Sequence, residues 1–502
     1  MLSTMEAAAI PEKPGAHHLE KEDVDGRSSG SDTVAGRRPH IHVDPAAEKK
    51  IIRKCDYRVV PPLTILFLLA FLDRTNIGNA KIQGLTEELK MTGNDYNVAL
   101  LVFFVPYILF EIPSNIILKK VAPSTWLSLI MVLWGIATMG QGLINNFEGL
   151  VAMRVLVGFF EAGLFPGCVY MLGMYYKRYE LQWRLSLFFS ASILAGGFGG
   201  LLAYALAKMD GIGGYAGWRW IFIIEGLATV AIGFVSKWWV PDWPETASFL
   251  NEEERAILTA RLADDQGECR MDRLDKNAMK RSFGDWKMYC AVIMYFGIVN
   301  NGYSTSFFIP TIIKEMGYTS SRAQVLSIPI FVVATVVALV IALFTDRLQH
   351  RYGFCILGVC VASVGYVILL CQEHVSPGVK YFALFIIVSG GYITQPVTLT
   401  WISNCMSGHY KRSIAAAMQV GFGNCGGIVA SNIYVASEAP RYPTGYGTSL
   451  GLLWVCAAMC TLLFFGVRRE NRKRDRGERD YRLESEDRDN LGDDHPHFRF
   501  AT

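Results

Sequence analysis

Four charged residues lie in segments that are otherwise apolar. Asp73 and Arg74 are adjacent in FLLAFLDRTNIGNAKIQ, and Arg154 precedes Glu161 by seven residues in RVLVGFFEAGLFPG. A charge in the middle of a bilayer costs about 2.5–3.5 kcal/mol on insertion scales, so such residues face a bundle interior or an aqueous cavity. An acid in that position can load and release a proton, and an arginine offers a planar, permanent charge to a carboxylate.

The two pairs are predicted to lie at overlapping depths. Asp73 lies about 14 residues into the first apolar run, or about 20 Å along a helix. The fourth run passes in the opposite direction and brings Arg154 to the same level. Glu161 is two turns further along nearly the same face. We weigh two interpretations, a structural ion network joining the two helices and a site for protons and an anion, and we favour the second.

Apolar runs of about 20 residues make up most of the chain. Of its 502 residues, 51% are hydrophobic and only 19% are charged. Each run can cross a hydrocarbon core about 30 Å thick, and a lipid-exposed backbone without strand patterning must be helical. The sequence therefore predicts an all-α membrane protein with twelve transmembrane helices in two six-helix halves. The predicted spans are residues 60–80, 97–118, 125–144, 149–172, 185–207, 218–240, 287–309, 324–345, 353–372, 380–402, 412–435 and 447–467.

Charge is concentrated outside these runs and gives the predicted domain organisation. The loops after the second, fourth, eighth and tenth spans are rich in Lys and Arg, as are the central loop and both tails, which predicts that these parts and both termini are cytoplasmic. We expect an amphipathic helix in the central loop and a solvated C-terminal tail. The predicted parts are a disordered N-terminal tail (1–58), the N-terminal half (59–240), the central loop (241–286), the C-terminal half (287–467) and a charged C-terminal tail (468–502).

Two further acids lie in predicted spans. Glu111, near the cytoplasmic end of the second span, is expected to make a structural contact with the following loop. Glu225, in WRWIFIIEG, is expected to pair with a helix end or with Arg219 two turns away. We interpret both as structural residues.

The second half carries neutral polar residues where the first carries charges. Asn300 and Asn301 occupy the positions in the seventh span that Asp73 and Arg74 occupy in the first, and Asn424 lies in the eleventh. Amides can bind a polar substrate but cannot carry protons, so we assign proton handling to the first half and substrate shape to the second. Aromatic candidates for a cavity wall, for each of which core packing is the simpler role, are Tyr303, Phe307, Phe308 and Trp401.

Several classes of function are excluded by missing motifs. The phosphate-binding pattern GxxxxGK[ST] is absent, which argues against an ATP-driven pump. No nucleophile–base or metal-ligand spacing stands out, so we expect neither an enzyme nor a metal site. We expect no cofactor, no nucleotide and no nucleic-acid partner. We expect a monomer in a lipid bilayer that draws its energy from the proton gradient.

The motifs resemble the major facilitator superfamily. The loop FTDRLQHRYG is similar to the D-R-x-x-x-R signature of that superfamily through Asp346, Arg347 and Arg351, and the loop after the second span lacks the Asp-Arg. The stretches LDRTNIGNAKIQGL, RVLVGFFEAGLFPG, GWRWIFIIEGLA and WISNCMSGHYKRSIAAAMQVGFGNCGG are more specific. They resemble the fungal allantoate-permease group of anion:cation symporters, and most of all its nicotinate-transporter branch.

The resemblance implies a role for residues already selected. Asp73 and Glu161 are implied to couple protons, Arg74 to contact the anion beside Arg154, and Asn424 to contact the substrate. The implied function is proton-coupled uptake of a small organic anion such as nicotinate by alternating access, at the plasma membrane or, alternatively, a vacuolar or other internal membrane. The alternatives are an exporter of a secondary metabolite or organic acid by proton antiport and, more remotely, a nutrient sensor that does not transport.

Overall fold

The computed structural model describes residues 45–266, 276–348, 350–407, 409–484 and 491–501. Nearly all of these residues are helical, and no strand occurs among them. The α-helices are α1 (Pro45–Arg58), α2 (Val60–Thr75), α3 (Ile77–Ala80), α4 (Thr86–Glu88), α5 (Asp95–Lys120), α6 (Pro123–Gln141), α7 (Phe147–Glu161), α8 (Leu164–Tyr175), α9 (Arg178–Ala207), α10 (Gly217–Trp239), α11 (Glu252–Gln266), α12 (Lys276–Phe283), α13 (Trp286–Glu315), α14 (Ser320–Leu348), α15 (Arg351–Leu370), α16 (Pro377–Cys405), α17 (His409–Gly423), α18 (Cys425–Asn432) and α19 (Pro443–Asp475). A π-helical turn (Lys81–Leu85) joins α3 to α4, and short 3₁₀ turns follow α9, α15, α18 and α19.

Eleven helical segments in the described part of the chain are long and apolar enough to cross a membrane. The seventh predicted span corresponds to α13, which has 30 residues and is not among the eleven. Its length is ample, but Asn300, Asn301 and the Ser304–Ser306 stretch lower its hydropathy in the middle. These polar residues are buried within the protein, so α13 does not need to present an apolar surface there.

Three of the membrane-crossing segments are interrupted near their middle. Asn76 separates α2 from α3, Ala162 and Gly163 separate α7 from α8, and Asn424 separates α17 from α18. At Gly163 a side chain is excluded, because an added Cβ would lie 1.8 Å from the Ser114 hydroxyl of α5. Each break lies within two residues of a site residue predicted from the sequence.

Small residues let α6 and α10 pack closely. An added Cβ at Gly226 would lie 2.4 Å from the backbone nitrogen of Met139, and one at Gly135 would lie 2.9 Å from that of Val230. Close approach through small residues is the usual way in which membrane helices associate.

The N-terminal tail differs in part from its prediction. The disorder predicted for residues 1–58 is wrong for the stretch that forms α1, and residues 1–44 lie outside the described part of the chain. Ile51 and Cys55, four residues apart on one face of α1, are buried, and this packing holds the helix in place. In the central loop, the predicted helix is α11, and the backbone N–H of its N-terminal neighbour Asn251 donates to Glu254 at 2.9 Å.

The end of the chain is folded rather than solvated, so that expectation for residues 468–502 is wrong over residues 491–501. Phe498 and Phe500 are buried against α13 and α16, and the Trp401 indole donates to the Ala501 carbonyl at 2.9 Å. Apolar side chains and satisfied backbone groups outweigh the charges nearby. We call the side of the bundle that carries α1, α11 and residues 491–501 the tail side.

Candidate functional site

Arg74 lies at the centre of the bundle and joins its two halves. From α2, its Nε donates to Glu161 Oε1 on α7 at 3.1 Å, and its Nη2 contacts the same oxygen. Its Nη1 contacts the hydroxyl of Tyr303 on α13. The guanidinium carbon lies 4.6 Å from the centre of the Tyr107 ring and 5.0 Å from that of Phe103. The arginine charge is therefore held by one carboxylate and by aromatic faces.

A cavity with about 440 Å³ of space between atoms, including its part open to solvent, borders Arg74. Its polar wall is provided by Arg74, Ser192, Gln395 and Asn424. Its aromatic wall consists of Phe67, Phe71, Tyr107, Phe165, Phe189, Tyr295, Tyr303 and Tyr392. The combination of one cation, two amides and many rings suits a flat organic anion.

Asp73 points away from this cavity. Its Oδ2 accepts a hydrogen bond from Trp134 Nε1 on α6 at 3.0 Å and from Thr229 Oγ1 on α10 at 2.8 Å. Consecutive helical residues are about 100° apart, so neighbours in sequence face different partners. The two adjacent charged residues therefore lie in different environments. Arg74 borders the cavity, and Asp73 faces the interior of the N-terminal half.

Arg154 and Glu161 share one face of α7, as their spacing predicts, and both are completely buried. The Arg154 guanidinium nitrogens lie 3.5 Å from the Arg74 carbonyl and 3.4 Å from the Ala99 carbonyl. Arg154 therefore lies behind the Arg74 backbone, and it supports the α2 segment that carries the cavity residue.

Glu111 differs from its expected role as a contact to the following loop. It is buried, and its carboxylate lies near Asn424, the residue that follows α17. The same carboxylate lies 3.8 Å from a Cβ built on Gly421 of α17. Asn424 is the hydrogen-bonding side chain beside this carboxylate. Two prolines, Pro106 and Pro113, interrupt the hydrogen-bond pattern of α5 around it.

Glu225 does not pair with Arg219, because another acid takes that arginine. Arg219 Nη2 lies 2.9 Å from Glu88 Oε1, and Arg219 also donates to the backbone carbonyl of Gly142. Glu225 is buried, and both of its oxygens lack a hydrogen-bond partner in the described chain. Its electrostatic neighbour is Asp73. The spacing in the sequence suggested a pair between Glu225 and Arg219, but Glu88 of α4 binds Arg219 instead.

Several substrate candidates of the second half face other helices. Asn300 donates to Ser449 of α19 at 3.3 Å, and Asn301 accepts from Tyr366 of α15 at 2.6 Å. Both amides therefore serve packing within the C-terminal half, because they occupy faces of α13 turned away from α2. In this conformation they do not line the cavity, and their role in substrate binding stays a prediction.

The aromatic candidates divide in the same way. Tyr303 lines the cavity. Trp401 is buried against the Ala501 carbonyl on the tail side, and Phe308 stacks on Tyr434 with ring centres 4.6 Å apart. These two rings pack at the ends of the C-terminal half and do not border the cavity in this conformation, so their role in substrate binding stays a prediction.

The loop motif is described only in part. Arg347 is exposed at the end of α14 and Arg351 is buried at the start of α15, where its guanidinium has a partner. The side chain of Asp346 lies outside the described part of the structure. Neither Arg347 nor Arg351 borders the cavity.

Sequence reasoning missed most of the cavity wall. Tyr107, Tyr295 and Gln395 have no local signal, since aromatic and polar residues occur throughout these spans. The proximity of Phe67 and Phe188, whose ring centres are 4.4 Å apart, likewise depends on how α2 meets α9. Only knowledge of helix rotation identifies such residues.

The two halves touch on the side opposite the tail side. An added Cβ at Gly78 of α3 would lie 2.6 Å from the Phe307 carbonyl of α13. Asn97 Nδ2 of α5 donates to the Ser431 carbonyl of α18 at 2.6 Å. The cavity lies on the tail side of these contacts, so this conformation is closed on the opposite side.

Comparisons with known proteins agree with this architecture. The sequence model of the Major Facilitator Superfamily matches residues 63–431. An uncharacterized transporter of Schizosaccharomyces pombe is 36% identical over 456 residues, covering 91% of this chain and 90% of that protein. The high-affinity nicotinic acid transporter of Saccharomyces cerevisiae is 31% identical over 437 residues, covering 85% of this chain and 79% of that protein.

A solved structure has the same fold. It is a bacterial homolog of the human lysosomal transporter Spinster in an inward-facing and occupied conformation, with a TM-score of 0.60 and 16% identity over 85% of this chain and 98% of that chain. The relatives named above are transporters, and the family model covers most of the chain. This chain therefore belongs to the Major Facilitator Superfamily and is a membrane transporter rather than an enzyme.

Proposed function

We propose that the protein imports a small organic monocarboxylate together with protons. The observation that carries the proposal is Arg74, a buried guanidinium that borders an aromatic cavity and is neutralised by a single carboxylate, Glu161. A guanidinium fork matches a carboxylate in shape and charge, which makes it the natural anchor for such a substrate.

Coupling follows from competition for Arg74. While Glu161 is ionised, it occupies the Nε and Nη2 edge of the guanidinium. A proton on Glu161 neutralises it and leaves that edge to the carboxylate of the substrate. Anion and proton then travel together, because the anion replaces a charge that the proton has removed. The unpartnered second oxygen, Glu161 Oε2, is available to take that proton.

The cavity wall favours an aromatic or otherwise flat anion. Tyr107 and Tyr303 flank Arg74, and the Phe67, Phe165 and Phe189 rings extend the wall toward the tail side. Stacking on such rings adds affinity for a planar substrate. Nicotinate, a planar monocarboxylate, has this shape, and the name of the Saccharomyces cerevisiae relative gives it as a first substrate to test.

Alternating access supplies the transport step. With the tail side facing the cytoplasm, the present conformation releases substrate inward. Rocking of the two halves would separate Gly78 from Phe307 and open the cavity to the outside. We place the protein in the plasma membrane, with both termini inside. The proton gradient would drive accumulation by a monomer without nucleotide or cofactor.

The experiment is uptake of labelled nicotinate at pH 5 and pH 7.5 by yeast that lack their own carrier and express this protein. Accumulation at pH 5 that a protonophore abolishes is the expected result. Absence of uptake, with the protein confirmed at the cell surface, removes nicotinate as substrate, and a competition panel of organic acids follows. Lower retention of a preloaded organic acid in expressing cells would contradict import and indicate export by proton antiport.

A further inference from the structure

A cluster of buried polar side chains lies in the N-terminal half, on the side of α2 that faces away from the cavity, and we call it the Asp73 pocket. It is bounded by α2, α6 and α10, and its centre is Asp73, bound by Trp134 and Thr229. Glu225 lies one helical turn before Thr229 on the same face of α10, about 6 Å along the helix. Its carboxyl is close enough to Asp73 for the two to interact electrostatically. Two acids on different helices thus meet inside one half.

Polar atoms without partners surround these acids. Asp73 Oδ1 and both oxygens of Glu225 have no hydrogen-bond partner in the described chain. The Thr138 hydroxyl, one turn after Trp134 on the face of α6 that meets Asp73, is unpartnered in the same way, and its residue is 1% exposed. Buried polar groups are normally satisfied, so this concentration indicates a bound species or protonated acids.

The two acids lack a basic partner in the part of the chain that the structure describes. Among the described residues, no ion pair or hydrogen bond joins a basic side chain to Asp73 or Glu225. Arg74, the neighbour of Asp73 in sequence, is bound to Glu161, and Arg219 of α10 is bound to Glu88. Helix α6 carries no titratable side chain. Glu161 is the remaining charged group that acts on Asp73, and it adds further negative charge.

We propose that Asp73 and Glu225 share one proton and form a second proton site, separate from the Arg74–Glu161 pair. Two carboxylates in one buried pocket repel when both are charged, so the singly protonated pair is the favoured form. The shared proton removes one of the two negative charges and with it the repulsion between the acids. The new element is Glu225, which turns a single buried acid into a shared site.

The site is placed to act on the transport cycle. Asp73 immediately precedes the cavity arginine, and the break between α2 and α3 follows three residues later at Asn76. A change in protonation on one face of α2 alters the hydrogen bonds that hold the segment carrying Arg74 on the other. This role deepens the proposed function and rests on it, whereas the existence of the shared proton does not.

Infrared difference spectroscopy of the full-length purified protein tests the shared proton without any substrate. The carbonyl stretch of a protonated carboxyl is recorded through a pH titration for the wild type and for Glu225→Gln, Asp73→Asn and the control Glu148→Gln, an exposed acid of α7. We expect the wild type to show the band of a protonated carboxyl at neutral pH. Glu225→Gln and Asp73→Asn should each abolish this band or change its pH midpoint, and Glu148→Gln should leave it unchanged. An unchanged spectrum in both pocket variants overturns the proposal.

Two further measurements control for misfolding of the variants and for binding of a metal cation instead of a proton. Thr229→Val keeps both acids and the shape of the side chain but removes the donor to Asp73, so the pH midpoint of the band must move if the pocket holds the proton. Titration with sodium and potassium chloride separates a proton from a metal cation, since loss of the band on addition of sodium alone would make this a sodium site and refute the proton. Flux of protons per labelled nicotinate in vesicles then tests coupling, and Glu225→Gln is expected to lower it.

Discussion

Arg74 and Glu161 form an ion pair that is almost completely buried and links the first and fourth membrane-crossing segments. The side chains are 5% and 0% exposed, so neither charge is solvated by water. Breaking such a pair by removing one partner costs far more than breaking an exposed one, because the other charge stays buried. The Arg74 guanidinium is therefore held by Glu161 until that carboxylate is protonated or another anion takes its place.

Glu161→Gln is expected to separate exchange from accumulation. Glutamine keeps the size of the side chain and a hydrogen-bond acceptor for Arg74, but it cannot load a proton. Labelled substrate should still exchange across vesicle membranes, while accumulation driven by a pH gradient is lost. Glu148→Gln, on the exposed face of the same helix, is the matched control. Normal accumulation by Glu161→Gln would show that the proton is carried elsewhere.

Arg154→Lys is expected to cripple transport although Arg154 lies behind the cavity. The guanidinium spans the carbonyls of Arg74 and Ala99, which the single ammonium of lysine cannot reach together. An unsatisfied buried group costs about 1–3 kcal/mol, which corresponds to a loss of roughly fivefold or more. Initial rates of uptake, corrected for the amount of protein at the membrane, measure this loss. Wild-type rates and affinity would contradict it.

Tyr303→Phe removes the hydroxyl that contacts Arg74 and keeps the ring. A hydrogen bond to a charged group contributes about 1.5–3 kcal/mol, so the KM for substrate should change by roughly tenfold or more. The aromatic wall stays in place, and the amount of folded protein should not change. Tyr289→Phe, which alters an exposed tyrosine of the same helix, is the control. An equal KM in the two variants would place Tyr303 outside the binding step.

Gly78→Ala is expected to prevent closure on the side opposite the tail side. The added methyl group would lie 2.6 Å from the Phe307 carbonyl, closer than two such atoms can approach. Overpacking of this kind costs about 1–3 kcal/mol and should shift the equilibrium toward the conformation in which the halves are apart there. Transport should fall, and labelling of an introduced cysteine at that side should rise. Gly447→Ala, with open space around the position, should change neither.

Asp493→Asn is expected to release the chain end from the bundle. Asp493 is buried and contacts Lys287 at 3.1 Å and Lys411 at 2.8 Å. Removing one partner of a buried pair costs about 3–5 kcal/mol, whereas its neighbour Asp494 makes a partly exposed pair with Arg482, worth about 0–1 kcal/mol. Hydrogen exchange of residues 491–501 should rise in Asp493→Asn and stay unchanged in Asp494→Asn. Equal protection in the two variants would contradict the prediction.

The same contact gives a pH dependence with a definite sign. Burial alone would raise the pKa of Asp493, but the ammonium groups of Lys287 and Lys411 outweigh it and hold the pKa below its ordinary value. A lowered pKa in the folded state contributes stability above the ordinary value of about 3.9 and loses it as the pH falls through the folded value. The docked segment should therefore stay protected at neutral pH and become exposed only in strong acid, as hydrogen exchange in detergent can measure. Release on raising the pH would have the wrong sign.

The sequence predicted the fold class, the membrane-crossing runs and the shared face of Arg154 and Glu161, because hydropathy and helical period act locally. It could not predict which way each polar side chain turns within a buried helix. Asn300 and Asn301 are residue types typical of a binding site, but in this structure they contact Ser449 and Tyr366. The rotation of α13 about its axis determines these contacts. The expected pair of Glu225 with Arg219 is wrong for the same reason. Glu88 binds Arg219 instead, and that contact depends on the tertiary structure rather than on spacing in the sequence.

The hydrogen bond from Trp134 to Asp73 has a consequence for optical experiments. The emission of an indole depends on the charge beside its N–H group, and here that group donates to the carboxylate of Asp73, one of the two acids for which we propose a shared proton. With the other ten of the eleven tryptophans replaced, Trp134 would be an intrinsic fluorophore that reports the state of the pocket. The protein thus contains a natural fluorophore in direct contact with Asp73, and no external label is needed there.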